Sequence, residues 1–311
     1  MVFLTIKHNK LFLEKSNLRI DPLQKDKDFE IINISDIENK FPFPYRPATW
    51  GVYGILWTGS RPYKHMFEET EYEIPEKNLL FIGPHKANSF VKGDFPDAVL
   101  IIFRSVFFAR STREAYILQT TPLFHKADRV CFVENKIYAN RDTRRIISGI
   151  FKAALKEEKE GLNSDLVHSL ISINILYSMT KMKVEMENLS QSPRIESTDY
   201  DIAIRFRKKV FENFKTHRFV SFYAKELNIS ERNLRAICKK AFNQTPKELI
   251  TDIVLDTSCR MLSNTDLSVK EITFDLGFTE ETNFISFFKK AKGVTPHNYR
   301  KRYNKHRLFR T

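Results

Sequence analysis

Two stretches of this chain repeat each other. "CKKAFNQTP", Cys238 to Pro246, returns as "FKKAKGVTP", Phe288 to Pro296, at an offset of 50 residues. Around each, apolar residues recur at i, i+3, i+4 and i+7: Leu234, Ile237, Cys238 and Ala241 in the first copy, Phe284, Phe287, Phe288 and Ala291 in the second. That spacing puts each set on one face of a helix. Ahead of each lies a shorter helical segment and a tight turn, "FYAKELNIS" and "VKEITFDLGFT". Asn228 and Gly277 stand where a chain leaving a helix turns left-handed. Ser230 and Thr279 are read as the N-cap oxygens of the helices that follow. Glu280 and Glu281 then fall in a first turn, where the helix dipole favours negative charge. Helix, short turn, helix is the helix-turn-helix unit, and the pattern predicts two of them. Between them, "PKELITDIVLDTSCRML" reads as a Pro-started amphipathic helix that holds both at a fixed separation.

The charge sits in the same region. From Tyr200 to Thr311 there are 23 lysines and arginines against 12 acidic residues, whereas residues 1–199 carry 28 against 26. Nearly all of the formal +13 therefore belongs to the C-terminal third. A basic excess concentrated in one segment is the footprint of a polyanionic partner rather than general solubility tuning.

The rest of the chain has a different texture. Residues 1–140 read as β-rich: "WGVYGILWTG" and "AVLIIF" are β-branched and aromatic, and "RPYK", "FIGPH" and "GDFPD" supply turns. Residues 141–186 read as two helices, "DTRRIISGIFKAALKEEKEG" and "SDLVHSLISINILYSMTKMK", joined near Gly161 and Asn163, the second starting at Ser164 and Asp165. Residues 187–199, within "ENLSQSPRIESTD", are polar and aperiodic, the expected linker, and residues 200–311 are the basic helical domain. The fold class expected is α+β with two domains.

The last hundred or so residues resemble the AraC/XylS-type transcription regulators. The resemblance is carried by "AKELNISERNLRAICKKAFNQTP" and, more strongly, by "SVKEITFDLGFTEETNFISFFKKAKGVTPHNYRKRY". It implies an all-α DNA-binding domain with two helix-turn-helix units, attached to a variable sensing or dimerising domain. It also implies a function: sequence-specific DNA-binding transcription regulation, usually activation through contact with RNA polymerase. The β-rich part is similar, more weakly, to the cupin-like domains of that family through "NLLFIGPHKANSF". That likeness implies an N-terminal cupin-like β-barrel followed by helices, over residues 1–186.

Two such units on one molecule can reach successive major-groove segments about 34 Å apart. With the apolar stripes turned inward, Arg232, Asn233, Arg235, Ala236 and Lys239 face outward in the first copy, and Thr282, Asn283, Ser286 and Lys290 in the second. Asn pairs bidentately with adenine, Arg with guanine, and Thr or Ser bonds several bases or touches a thymine methyl. By resemblance, the base-reading positions fall on Arg232, Arg235 and Ala236, then on Thr282, Asn283 and Ser286. Ala236 and Ser286 depart from the family's commoner Arg. Phosphate contacts are assigned to Lys239, Lys240, Lys289, Lys290, Arg300 and Arg302, which lie in or beside the lysine pairs and in the basic tail "YRKRYNKHRLFR".

For the N-terminal part, Leu166, Leu170, Ile173, Leu176 and Tyr177 form an apolar helix face suited to a homodimer seam, and pairing would join two weak DNA sites into one stronger event. Trp50, Tyr53 and Trp57 at strand spacing read as core, and a small-molecule effector of this domain stays unnamed. His65, Glu68, Glu69 and Glu71 crowd together without a second nearby His, and His85 and His125 lack a motif, so surface or loop histidines fit better than a metal centre. No G-x-S-x-G, H-E-x-x-H or P-loop pattern occurs. The reading is therefore a regulator and not an enzyme, with no catalytic residue, metal or cofactor assigned. Its rivals are a recombinase-like DNA-processing enzyme and a metal-dependent cupin enzyme with a fused basic domain. Cys131, Cys238 and Cys259 fit neither a disulfide framework nor a zinc spacing. The start "MVFLTIKHNK" makes a poor signal peptide, and Ala98 to Phe103 is too short to span a bilayer. A cytoplasmic protein with no membrane partner is expected.

Overall fold

The computed structural model describes residues 19–24, 27–41, 43–67, 70–84, 87–93, 95, 97–125, 131–133, 149, 151, 164–189 and 199–307. Contacts divide the chain into two compact units, one of residues 1–108 and 121–196, the other of residues 109–120 and 197–311. Of the helix expected over residues 142–161, only Gly149 and Phe151 lie among the described residues, and Glu68, Glu69 and His85 lie outside them.

Among the described residues the first unit holds ten strands: β1 (Arg19–Ile20), β2 (Phe29–Asn33), β3 (Ala48–Trp50), β4 (Tyr53–Trp57), β5 (Tyr63–Phe67), β6 (Thr70–Ile74), β7 (Leu79–Ile82), β8 (Ala87–Phe90), β9 (Val99–Phe103) and β10 (Cys131–Val133). They pair as two separate sheets, β1-β3-β8-β5-β6 and β10-β7-β4-β9-β2. Every pairing is antiparallel except the short β1–β3 pair. The expected barrel is therefore not closed: among the described residues no strand pairing joins the sheets, and side chains pack between them. Trp50, Tyr63, Phe67, Ile74 and Phe90 of the first sheet share one apolar cluster with Ile32, Leu56, Leu80, Ile82, Leu100 and Ile102 of the second.

Strand β9 shows why the purest apolar run in the chain is a strand. Its side chains alternate between faces, and all five are buried. Leu100 and Ile102 enter the shared cluster, whereas Phe103 packs with Tyr53, with Phe108 of α2 (Ser105–Phe108) and with Phe124 of α4 (Pro122–His125). A sheet covered on both faces needs continuous hydrophobicity rather than alternation. Trp50, Tyr53 and Trp57 are all core, stacked respectively on Phe90, Phe103 and Phe151.

Helix α5 (Ser164–Leu189) begins at the expected Ser164. Its buried stripe is Val167, Leu170, Ile171, Asn174, Ile175 and Ser178. The apolar face drawn from the sequence therefore splits. Leu170 belongs to the unit's own core and Tyr177 is half-buried, while Leu166, Ile173 and Leu176 remain 39%, 52% and 46% exposed.

The second unit is helical: α3 (Thr112–Thr120), α6 (Asp199–Asn213), α7 (Val220–Glu226), α8 (Glu231–Phe242), α9 (Pro246–Asn264), α10 (Val269–Asp275), α11 (Glu281–Lys292) and α12 (Pro296–Arg307). Helix α3 is far from the others in sequence, yet it packs on α6 through Tyr116 and Phe211, with ring centroids 5.5 Å apart. Its Gln119 donates to Asp256 on α9 at 2.7 Å and accepts from the guanidinium of buried Arg207 on α6 at 2.5 Å.

His65 sits on β5, fully buried, which corrects the surface or loop placement expected for it. Its Nε2 lies 3.2 Å from Asn88 Oδ1 and its Nδ1 3.4 Å from the Tyr63 hydroxyl. Glu71 is engaged with Lys64 at 3.1 Å instead of with the imidazole. Burial holds the His65 pKa down to about 3. The native state therefore keeps this ring neutral while the unfolded chain takes up a proton near pH 6.5. Its contribution to stability is whole above that pH and falls by about 1.4 kcal/mol per pH unit as acidity increases towards the native pKa. Both tryptophans, Trp50 and Trp57, report on this unit. Urea unfolding followed by their fluorescence is expected to weaken from pH 6.5 to 4.5 in the native chain. His65→Gln should lose that part of the slope, and equal slopes in the two proteins would assign the acid sensitivity to other groups.

Candidate nucleic-acid interface

The repeat is a helix stop followed by a helix start, built twice. Asn243 and Gly293 end α8 and α11 in the left-handed region, at φ 54° and 73°. Two residues later Thr245 and Thr295 accept from the backbone N–H groups of Glu248 and Asn298, and Pro246 and Pro296 open the next helices. At Thr245 the bond is reciprocal: the Glu248 carboxylate accepts the Thr245 N–H, which holds its pKa below the usual carboxylate range. Helix α9 then runs between the two units with most of its length buried, including Leu249, Ile253, Leu262 and Cys259.

Within each unit a left-handed residue aims the second helix. Asn228 has φ 54° and Gly277 has φ 81°, as the sequence predicts. The two turns differ in length. Leu227 to Ser230 separates α7 from α8, whereas Leu276 to Glu280, one residue longer, separates α10 from α11. Ser230 caps α8, its hydroxyl accepting from the Asn233 N–H at 3.1 Å. The extra residue moves the second start on by one, so Thr279 is not a cap. Glu280 takes the N-cap position and makes no capping bond. Its carboxylate instead accepts from the Thr282 hydroxyl at 3.3 Å. Glu281 lies in the first turn, where the helix dipole favours it.

Helix α8 buries Leu234, Ile237, Cys238 and Ala241, the predicted stripe. Burial pushes the Cys238 thiol up to about 12, so it behaves as a small core side chain. Arg232, Asn233, Arg235, Ala236, Lys239 and Lys240 are all exposed. In α11 only Phe284 and Phe288 are fully buried. Phe287 is half-covered by Phe278 at 5.4 Å, and Ala291 is exposed, because the last turn of α11 projects past the apolar contacts. Thr282, Asn283, Ser286, Lys289 and Lys290 are exposed together on the opposite side.

The basic residues differ in what they touch. Lys239 Nζ donates to the Asn243 carbonyl at 3.1 Å, closing the end of its own helix. Lys240 pairs with Asp199 at 2.8 Å, an exposed pair of small energetic weight. Arg300 is half-buried and its Nε donates to Leu262 O, tying α12 to α9. Arg302 is exposed. Sequence reasoning missed Arg218 altogether. It reaches from the turn after α6 to the Leu276 carbonyl and lies over the Phe278 ring at 4.0 Å. Partners 58 and 60 residues apart leave no local signal in the sequence.

A family model described as a helix-turn-helix domain matches residues 223–302. The Msm operon regulatory protein of Streptococcus mutans is 28% identical over 135 residues, covering 43% of this chain and 49% of that protein. The melibiose operon regulatory protein of Escherichia coli is 27% identical over 92 residues, 30% of each chain. Among solved structures, the C-terminal domain of AraT, a response regulator from Geobacillus stearothermophilus, is 28% identical with a TM-score of 0.31, covering 32% of this chain and 84% of that one. The match spans about half the length, or less, of such curated relatives.

The caps give a direct test of the two helix starts. Ser230→Ala should cost about 1 kcal/mol of stability, because it removes the side-chain bond that caps α8. Glu280→Ala should cost no more than a few tenths, since no capping bond is there to lose. Thermal unfolding followed by circular dichroism checks both, and similar losses would place a working cap at Glu280.

Proposed function

Because its C-terminal unit carries an AraC/XylS-type helix-turn-helix domain, we propose that this protein is a sequence-specific DNA-binding transcription regulator whose two recognition helices, α8 and α11, read successive segments of the major groove. One observation carries the reading. The same face is exposed on both copies of a repeated helix, within a region holding nearly all the net charge. Arg232, Asn233, Arg235 and Ala236 read bases from α8, and Thr282, Asn283 and Ser286 from α11. Lys289, Lys290 and Arg302 are free to meet phosphates, with Lys239 and Lys240 following once they release their local partners. Arg300 is better placed as a packing residue than as a phosphate contact.

The protein acts in the cytoplasm as an activator that touches RNA polymerase, as the resemblance implies. It is not an enzyme in this reading, and relatives named as operon regulatory proteins support that. Among the described residues no helix is long and apolar enough to cross a membrane. The N-terminal unit pairs two copies through Leu166, Ile173 and Leu176, the exposed apolar residues of α5. Pairing raises the effective concentration of the second DNA-binding unit at a two-part operator.

Asn283→Ala should weaken binding to the preferred sequence by about 1–3 kcal/mol and leave random DNA nearly unaffected. A loss of the same size on both would remove Asn283 from base reading. Lys290→Ala should weaken all sequences alike and reduce the slope of log K against log salt by about one unit. An unchanged slope in titrations across salt would take Lys290 out of the interface.

A further inference from the structure

A single helix, α9, is the covalent link between the two helix-turn-helix units. Packing along α9 sets the distance between the two heads. The structure holds a second link. The turn after α6, Phe214 to Arg218, is fastened to both units at once.

On the side of the first unit, the Tyr223 hydroxyl of α7 donates to the His217 carbonyl at 2.6 Å, and the His217 ring stacks on Phe222 with centroids 3.7 Å apart. On the side of the second, four contacts converge on the turn between α10 and α11. The Arg218 guanidinium donates to the Leu276 carbonyl and lies over the Phe278 ring, 4.0 Å from its centroid. Lys215 pairs with Asp275, the last residue of α10, at 2.8 Å. Gly277 approaches the backbone of Lys215 so closely that a Cβ there would run into the Lys215 carbonyl oxygen. Phe278 in turn packs against Phe284 and Phe287 of the recognition helix α11, at 5.3 and 5.4 Å. Arg218 is held on its own side by its Nε, which donates to the Phe214 carbonyl at 3.2 Å.

We infer that residues 214–218 form a second strut between the two reading heads, and that Arg218 is the positioning residue through which it sets the spacing of DNA half-sites the protein accepts. A planar, multi-donor cation suits the task. Its rigid fork bonds two carbonyls while the same group lies over a ring, a geometry that the compact point charge of an ammonium does not fix. Changing the half-site separation by one base pair moves the second segment by about 3.4 Å along the duplex and about 35° around it. Two heads braced at two places resist that rotation more strongly than heads joined through α9 alone.

The inference rests on the DNA-reading function proposed above, and one experiment separates their failures. The full-length chain first selects its preferred element from random duplex DNA. Affinities are then measured on that element, on each half alone, and on versions lengthened or shortened by one base pair between the halves. The native protein should lose about tenfold or more at each altered spacing, the size of a mismatched base pair. Arg218→Lys and Arg218→Ala should bind each half within about threefold of the native protein, yet lose only about twofold at the altered spacings. Circular dichroism establishes that each variant is folded. Should the alanine variant unfold, the lysine variant, which keeps the charge and loses the planar fork, decides the matter.

A two-part element with the same spacing penalty in native protein and variant overturns the role of Arg218 and leaves the proposed function standing. A native protein indifferent to spacing overturns the strut. No enriched sequence at all overturns the DNA-reading function, and the strut with it.

Discussion

What α8 and α11 present to solvent depends on two left-handed residues, Asn228 and Gly277. Each ends a short helix and swings the chain so that the next helix leaves with its apolar face inward and its polar face out. At Gly277 the requirement is double, a positive φ and the absence of a Cβ against the Lys215 carbonyl. Asn228 meets only the first, and a short polar side chain tolerates that conformation. The aim of α8 and α11, and hence the identity of their exposed residues, follows from these turns and from the buried stripes behind them.

Much of this was legible because the signals are local. Periodicity gave the stripe Leu234, Ile237, Cys238 and Ala241, and turn chemistry gave Asn228, Gly277 and Ser230. The misplaced cap at Thr279 has an instructive origin. The two copies align at an offset of 50 in the recognition helices but 49 in the helices before them, because the second turn is one residue longer. Thr279 has the side chain of a cap, and Glu280 has the place. Residues joined across long stretches of chain gave no such signal. Arg218 and Phe278, or Gln119 and Asp256, find each other only once the helices are packed.

In the N-terminal unit, strand identity was readable and closure was not. Continuous apolar runs bounded by turns mark where β4, β7 and β9 lie, but whether two sheets pair at their edges is settled by backbone register, which side-chain pattern does not encode. The same limit explains His65. Its neighbours in sequence are acidic and include no second His, which suggested a surface or loop position rather than a metal centre. Its neighbours in space, Tyr63, Phe67, Asn88 and Phe90, come partly from β8, and they make it a buried, hydrogen-bonded core residue.

Helix α3 leaves a consequence for how such a chain can be taken apart. It belongs to the basic helical unit, yet the chain on both sides of it belongs to the other, so the backbone passes between the units three times. Severing the polar segment before Asp199 does not release the C-terminal unit whole: a fragment beginning at residue 200 lacks the helix that covers α6 and the Gln119 acceptor for Arg207. The two units are not interchangeable beads. An exchange of the N-terminal part by fusion at that segment would carry α3 away with it. Each new partner would have to bring a helix fitted to Phe211, Arg207 and Asp256, which makes this short insertion a lock on domain shuffling.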